Sequence, residues 1–282
     1  MGLYSKIRKL SRKRFVISRL LRRRQREKLL ERHGVGVVAD TRNGMLIVEA
    51  GDFSVGRHLL RHGEYDWSEI QWLKRQLDPE RANVLVVGSH VGALVVPLSR
   101  CCRNMIAFEA DRTNFRLLEL NVRLNACGNV ALRNQAVGES NRYVSMQRNL
   151  VNTGNTSVSC KNESGDTQMV RLDDCLDMQP VDLMVMDIEG YEPQALEGAE
   201  QVLQHTKMLY VELAPTNLEA FGNSTRDLLD LAYKYFPCMY DSASGEEKMY
   251  TKEQAIEWIC QLDAAHQDKG YMRNLLFTRE PL

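Results

Sequence analysis

Residues 181–192, Val-Asp-Leu-Met-Val-Met-Asp-Ile-Glu-Gly-Tyr-Glu, place a short apolar run directly before three carboxylates and one glycine. The run is too short for a core helix and is bounded by charge, so it reads as a strand buried on both faces of a parallel sheet. In open α/β sheets, ligands bind at the carboxyl ends of such strands. Desolvating acids costs free energy, so acids gathered at that edge have protons, hydroxyls or a metal to hold. The plainer alternative makes Glu192 the start of the next helix and Glu189 a solvated loop residue.

The rest of the chain supplies a sheet for this strand. From residue 83 onward strands and helices alternate: strands over 84–87, 105–108, 130–133, 169–172, 183–186 and 208–213, with helices over 93–100, 114–125 and 194–203. Helices over 225–235 and 252–262 and a strand over 274–278 follow. Such alternation specifies an α/β fold with a right-handed, mostly parallel, doubly wound sheet. Ahead of it, Asn43-Gly44 between strands at 35–40 and 45–49 signals a tight hairpin. A helix over 68–77 ends at Asp78-Pro79. The expected division is an arm over 1–33, a hairpin-and-helix extension over 34–80 and a main domain over 81–282.

Net charge is zero over the 282 residues, but its distribution is uneven. Residues 1–33 hold 13 of the 37 basic residues and only Glu27 and Glu31 of the 37 acidic ones, a net of +11 that leaves −11 for the remainder. Leu3, Ile7, Leu10, Ile17 and Leu21 follow helical spacing within this arm. Such a helix can lie on an anionic membrane surface, bind RNA phosphates, or pack its apolar stripe on the body. The seven cysteines form no Cys-x-x-Cys pair, which points to free thiols in a reducing compartment. No run of about 18 apolar residues and no signal-peptide core is present. The expected location is cytoplasmic, with docking at the inner face of the membrane through the arm as an added reading. Trp67 and Trp72, near the extension, either stack on a sugar face or pack between helices.

Val86-Val87-Gly88-Ser89-His90-Val91-Gly92 joins the first sheet strand to its helix. Gly88 permits a tight turn and close backbone approach, and Gly92 lets the helix start near the strand. Backbone N–H groups there can receive an anion. The Gly-x-x-x-Gly spacing differs from the dinucleotide pattern. About 20 residues on, Glu109 follows the second strand, where an acid accepts hydrogen bonds from both ribose hydroxyls of a nucleoside; the alternative is a helix-start acid. Asn134-Gln135-Ala136 ends the third strand and can meet an adenine edge.

Taken together, 88–92, Phe108-Glu109-Ala110-Asp111, Asn114-Phe115, Leu118, Asn121, Asn125, Ala136-Val137-Gly138, Leu172-Asp173-Asp174 and 187–192 resemble the FkbM family of methyltransferases. The likeness continues through Leu196-Glu197-Gly198-Ala199 and Val211-Glu212, covering about residues 83–213. Asn152-Thr153-Gly154-Asn155 and Asn274-Leu275-Leu276-Phe277 are similar too. The resemblance implies a class I, Rossmann-like, S-adenosylmethionine-dependent O-methyltransferase, often acting on sugar or natural-product hydroxyls. The cofactor would then meet Gly88, Ser89, His90, Gly92, Glu109, Ala110, Gln135, Ala136 and Asp187. Val86, His90, Ala110 and Val185 stand where the family usually has an acid, an asparagine, a proline and a lysine.

Methyl transfer to an alcohol needs a held hydroxyl and a way to lose its proton. Asp187 and Glu189 are the expected orienting and deprotonating groups, with His90 or Glu212 assisting. Alternatively, Asp187 and Glu189 hold a divalent cation that acidifies the hydroxyl. The expected acceptor is a saccharide, glycolipid or related metabolite. Two rivals stay open: an RNA methyltransferase using the basic arm, and a non-catalytic adaptor on the same fold.

Overall fold

The structure, a computed structural model, describes residues 35–149, 153–154, 156–159, 165–176, 180–242, 248–266 and 271–282. The basic arm read over 1–33 lies outside the described residues, as do Asn152 and Asn155.

The chain begins with the hairpin β1 (Val37–Thr41) and β2 (Gly44–Val48). Thr41 pairs with Gly44, so the turn is made by Arg42 and Asn43, one residue earlier than the Asn-Gly pair suggests. Asn43 is instead a fully buried tie. Its amide donates to the carbonyls of Tyr65 and Ala93, each at 2.8 Å, and accepts from the Tyr65 N–H at 2.9 Å. Helix α1 (Val55–His62) follows, then α2 (Trp67–Arg75). The sequence reading had no helix at α1: Gly56 and a run of His and Arg hide its buried stripe of Val55 and Leu59.

Next come β3 (Asn83–Val87), α3 (Val95–Ser99), β4 (Asn104–Phe108), α4 (Arg112–Leu124) and β5 (Val130–Arg133). Short strands β6 (Ala136–Val137), β7 (Arg142–Val144), β8 (Met146–Gln147), β9 (Ser157–Val158) and β10 (Thr167–Val170) lead to the turn of helix α5 (Leu172–Cys175). The strand expected over 169–172 is therefore β10. It joins β6 and β7 in a separate three-stranded sheet, and Leu172 already starts a helix.

The carboxylate-ended run is β11 (Val181–Met186). The helix expected over 194–203 is two, α6 (Glu192–Glu197) and α7 (Glu200–Gln204), broken at Gly198-Ala199. After β12 (Thr206–Leu213) come α8 (Pro215–Ala220), α9 (Thr225–Tyr233), β13 (Cys238–Asp241), β14 (Met249–Tyr250), α10 (Lys252–His266) and β15 (Arg273–Thr278). Strands β13 and β14 are absent from the sequence reading because each is short and flanked by polar residues.

The main sheet has the order β14-β13-β15-β12-β11-β3-β4-β5. β12, β11, β3, β4 and β5 pair in parallel, and β15, β13 and β14 continue antiparallel. Alternate residues of one strand enter different cores. Val84 and Val86 pack with α3, α4 and the hairpin, while Leu85 and Val87 pack with the α6–α9 side. Burial on both faces explains the continuous apolar runs, each fully buried Val, Leu or Met contributing about 1.5–3 kcal/mol over exposure. From β3 the chain winds outward through β4 and β5, then returns to β11 and β12 on the other side. The ends of β3 and β11 thus face a topological switch point, where such sheets bind ligands.

Candidate active site

At the end of β3 the backbone turns sharply. Gly88 has φ +88° and Gly92 φ +92°, and between them His90 holds φ +47°. A Cβ on Gly88 would stand 1.8 Å from the Asp187 carbonyl oxygen, so only glycine lets the loop pass the end of β11. Gly92 sits against Leu118 of α4 rather than on the cleft. Four of the loop's N–H groups are engaged within the protein rather than turned to an anion. Those of Gly88 and Ser89 donate to the Phe108 carbonyl, that of Gly92 to Ser89, and that of His90 to Glu109.

Glu109 lies just past β4. Its carboxylate accepts from the N–H groups of His90 at 2.7 Å and Asp111 at 2.9 Å. The helix-start role belongs to Asp111, whose side chain caps α4 through the Thr113 and Asn114 N–H groups. Burial pushes the Glu109 carboxyl up to about 8 despite those donors. Each of its oxygens keeps a second lone pair for a ligand hydroxyl. Ala110, Gln135 and Ala136 line the same end. Asn134 does not: its amide holds the carbonyls of Glu109 and Ala110.

The other end of the cleft is acidic. Asp187 follows β11 and has accessible surface inside the cleft. Glu189, at φ +59°, accepts from the Asn217 amide at 2.8 Å. Glu212, in β12, is 5 % exposed, and its Oε2 meets no donor among the described residues. One carboxylate oxygen from each of these three lies within 4.8 Å of the others. Dense surrounding protein, then Glu69, push Asp187 up to about 6. Burial, then the neighbouring acids, push Glu189 to about 8 and raise Glu212 well above the carboxylate range. Glu69 of α2 underpins this end by accepting from Tyr210, Ser242 and Asn274.

Of the two expected helpers, the structure brings Glu212 to Asp187 and Glu189, and turns His90 toward Thr153, with Nε2 2.9 Å from Oγ1. Burial lowers the His90 pKa, disfavouring the charged ring. Glu192 takes the plainer role: it starts α6 and its carboxylate accepts from the Ile188 N–H. Trp67 and Trp72 pack on the core and do not line the cleft.

The methyltransferase FkbM domain matches residues 87–236, just over half of the chain. The protein belongs to the FkbM methyltransferase family. No curated protein matches it. Solved structures similar to it include an rRNA methylase from Streptococcus thermophilus, 11% identical over 75% of this chain and 95% of that one, with a TM-score of 0.44. Trm5b from Pyrococcus abyssi is 11% identical over 86% and 56%, with a TM-score of 0.47. A Streptococcus mutans protein solved in complex with SAH is 11% identical over 74% and 94%, with a TM-score of 0.40.

The methyl donor of this FkbM methyltransferase is S-adenosylmethionine, and the cleft has groups that fit it. Ser89 Oγ and Asn114 Oδ1 line the cleft, shielded and without a partner among the described residues, so a polar ligand would satisfy them. The glycine passage at 88 and the doubly anchored Glu109 complete that end. The sequence reading missed Tyr65, Asp66, Tyr210 and the β8–β9 segment as lining residues. They come from the extension, a core strand and an insertion, none of which carries a local motif. Among the described residues no helix is long and apolar enough to cross a membrane, and all six described cysteines are free thiols.

Proposed function

We propose that this FkbM methyltransferase is an O-methyltransferase whose acceptor is a hydroxyl of a saccharide, glycolipid or related metabolite. One observation carries the reading: among the described residues the cleft is lined by Asp66, Glu109, Asp187, Glu189 and Glu212, and by no Lys or Arg. Carboxylates bind sugar hydroxyls as hydrogen-bond acceptors and can take a hydroxyl proton. The same lining repels phosphate, which speaks against a nucleic-acid acceptor.

S-adenosylmethionine, when bound, supplies an electrophilic methyl group on a sulfonium. The chain's own residues do the rest. The ribose is held by Glu109, with Gly88, Ser89, Ala110, Gln135 and Ala136 around the nucleoside. Asp187, placed after β11 by the N–H bond to the Val87 carbonyl, and Glu189, braced by Asn217, orient the acceptor hydroxyl. The hydroxyl so held would lose its proton to Asp187 or Glu189 as its oxygen takes the methyl group, the donor leaving as its neutral thioether. The raised pKa values of Asp187 and Glu189 suit them to receive it.

Label transfer from S-adenosylmethionine to a panel of saccharides and glycolipids, with the product identified as a methyl ether, tests the reading. Asp187→Asn is expected to lower turnover at least a hundredfold while SAH binding stays measurable. Transfer to RNA but to no hydroxyl-bearing metabolite, or unchanged turnover in the variant, would overturn it.

A further inference from the structure

Three carboxylates from separate segments converge at one point. The oxygens of Asp187, Glu189 and Glu212 lie within 4.8 Å of one another, and among the described residues no Lys or Arg lines the cleft. Glu212 adds an independent sign. It is 5 % exposed, faces this cleft, and carries an oxygen with no hydrogen-bond partner among the described residues. A shielded carboxylate oxygen left without a donor costs free energy unless a ligand answers it.

We propose that Asp187, Glu189 and Glu212 bind a hard divalent cation, magnesium or manganese in kind, at the acceptor end of the cleft. Such ions take oxygen ligands at roughly 2.0–2.6 Å, so the oxygens around one stand at most about 4–5 Å apart. The observed bound of 4.8 Å falls within that range, and a magnesium ion would draw the oxygens to within about 4.2 Å of one another. The donor set is all oxygen, which selects magnesium, calcium or manganese over soft-ligand metals.

The three ligands come from different places in the fold, after β11, from the left-handed turn beyond it, and from β12. Parallel pairing of β11 with β12 fixes their relative positions. Asp187 faces the open cleft, so the remaining coordination positions point to where an acceptor would enter. On the proposed function a bound cation would polarise the acceptor hydroxyl; that role rests on the O-methyltransferase reading, whereas the site itself does not.

The test uses the whole chain without methyl donor. Manganese(II) is titrated in, and loss of the free-ion electron paramagnetic resonance signal is followed. One saturable site is expected, weakened at least tenfold in Glu212→Gln and in Glu189→Gln, each checked for folding by circular dichroism. Calorimetry with SAH in the presence of a chelator is run on the same proteins and is expected to show equal affinities. Absence of a saturable manganese site, or equal manganese affinity in wild type and both variants, overturns the cation site. If manganese binds as expected while SAH does not, the cation site stands and the methyl-transfer reading fails.

Discussion

The α-carbon of Gly88 passes so close to the Asp187 carbonyl oxygen that an added methyl group would stand 1.8 Å from it. The two residues belong to different halves of the fold, the glycine loop after β3 and the acidic turn after β11. Their contact ties the glycine loop to the acidic turn.

Gly88→Ala should therefore damage both. The clash is backbone against side chain and the site has φ +88°, so relief requires the two strands to part. Loss of at least about 2–3 kcal/mol of stability is expected, with SAH affinity reduced at least tenfold. Urea denaturation and calorimetry measure the two effects. A variant matching wild type in both would show that the loop and the turn move independently.

Glu109 predicts a pH dependence. Its carboxyl titrates at 4.5 in the unfolded chain and about 8 when folded. Below about 4.5 both states hold the proton. As pH rises toward 8 the unfolded chain releases it first, so stability falls. Glu189, Glu192 and Asp66, raised to about 8, 7 and 7, act with the same sign. The ligand-free protein should melt at progressively lower temperature from pH 5 to pH 8. Glu109→Gln should flatten that slope, by about 2–4 °C for each kcal/mol removed; parallel profiles would show that Glu109 stays ionised.

Asn43 joins the hairpin to the body. Asn43→Ala leaves the Tyr65 and Ala93 carbonyls and the Tyr65 N–H without their buried partner. A cost of about 2–4 kcal/mol is expected, seen as a lower urea midpoint at unchanged slope. Asn43→Asp, which keeps the acceptor and loses both donations, should not restore it.

The basic arm carries its own prediction. Its net charge of +11 over residues 1–33 and its apolar spacing should draw the protein to vesicles containing anionic lipid, less so at high salt. Flotation of the whole chain and of a truncation lacking residues 1–33 checks this. Equal recovery of both would remove membrane docking.

Much of the site was legible because its chemistry sits on local patterns. A glycine loop after an apolar strand, an acid after the next strand and a carboxylate-ended third strand are short-range signals. They located Gly88, Glu109, Asp187 and Glu189 without any tertiary information. Other residues serve distant partners that no local pattern shows. Asn43-Gly44 does mark a hairpin, and Asn43 also bonds to Tyr65 and Ala93, far along the chain. Asn134 looks like a ligand contact, yet its amide secures the backbone beneath Glu109. Helix α1 stayed hidden because its buried stripe is narrow.

The sequence by itself determined the doubly wound sheet, its family and the residue types available at each strand end, since hydrophobic period and glycine placement are local properties. Only the tertiary structure decided that Glu212 joins Asp187 and Glu189 while His90 lines the cleft bonded to Thr153. Strand order and register set those distances, and pairing partners are not encoded at fixed offsets along a chain. The carboxylate-ended strand marks a ligand edge of the sheet. Its neighbour β12, brought alongside in parallel, supplies the third acid of the proposed cation site.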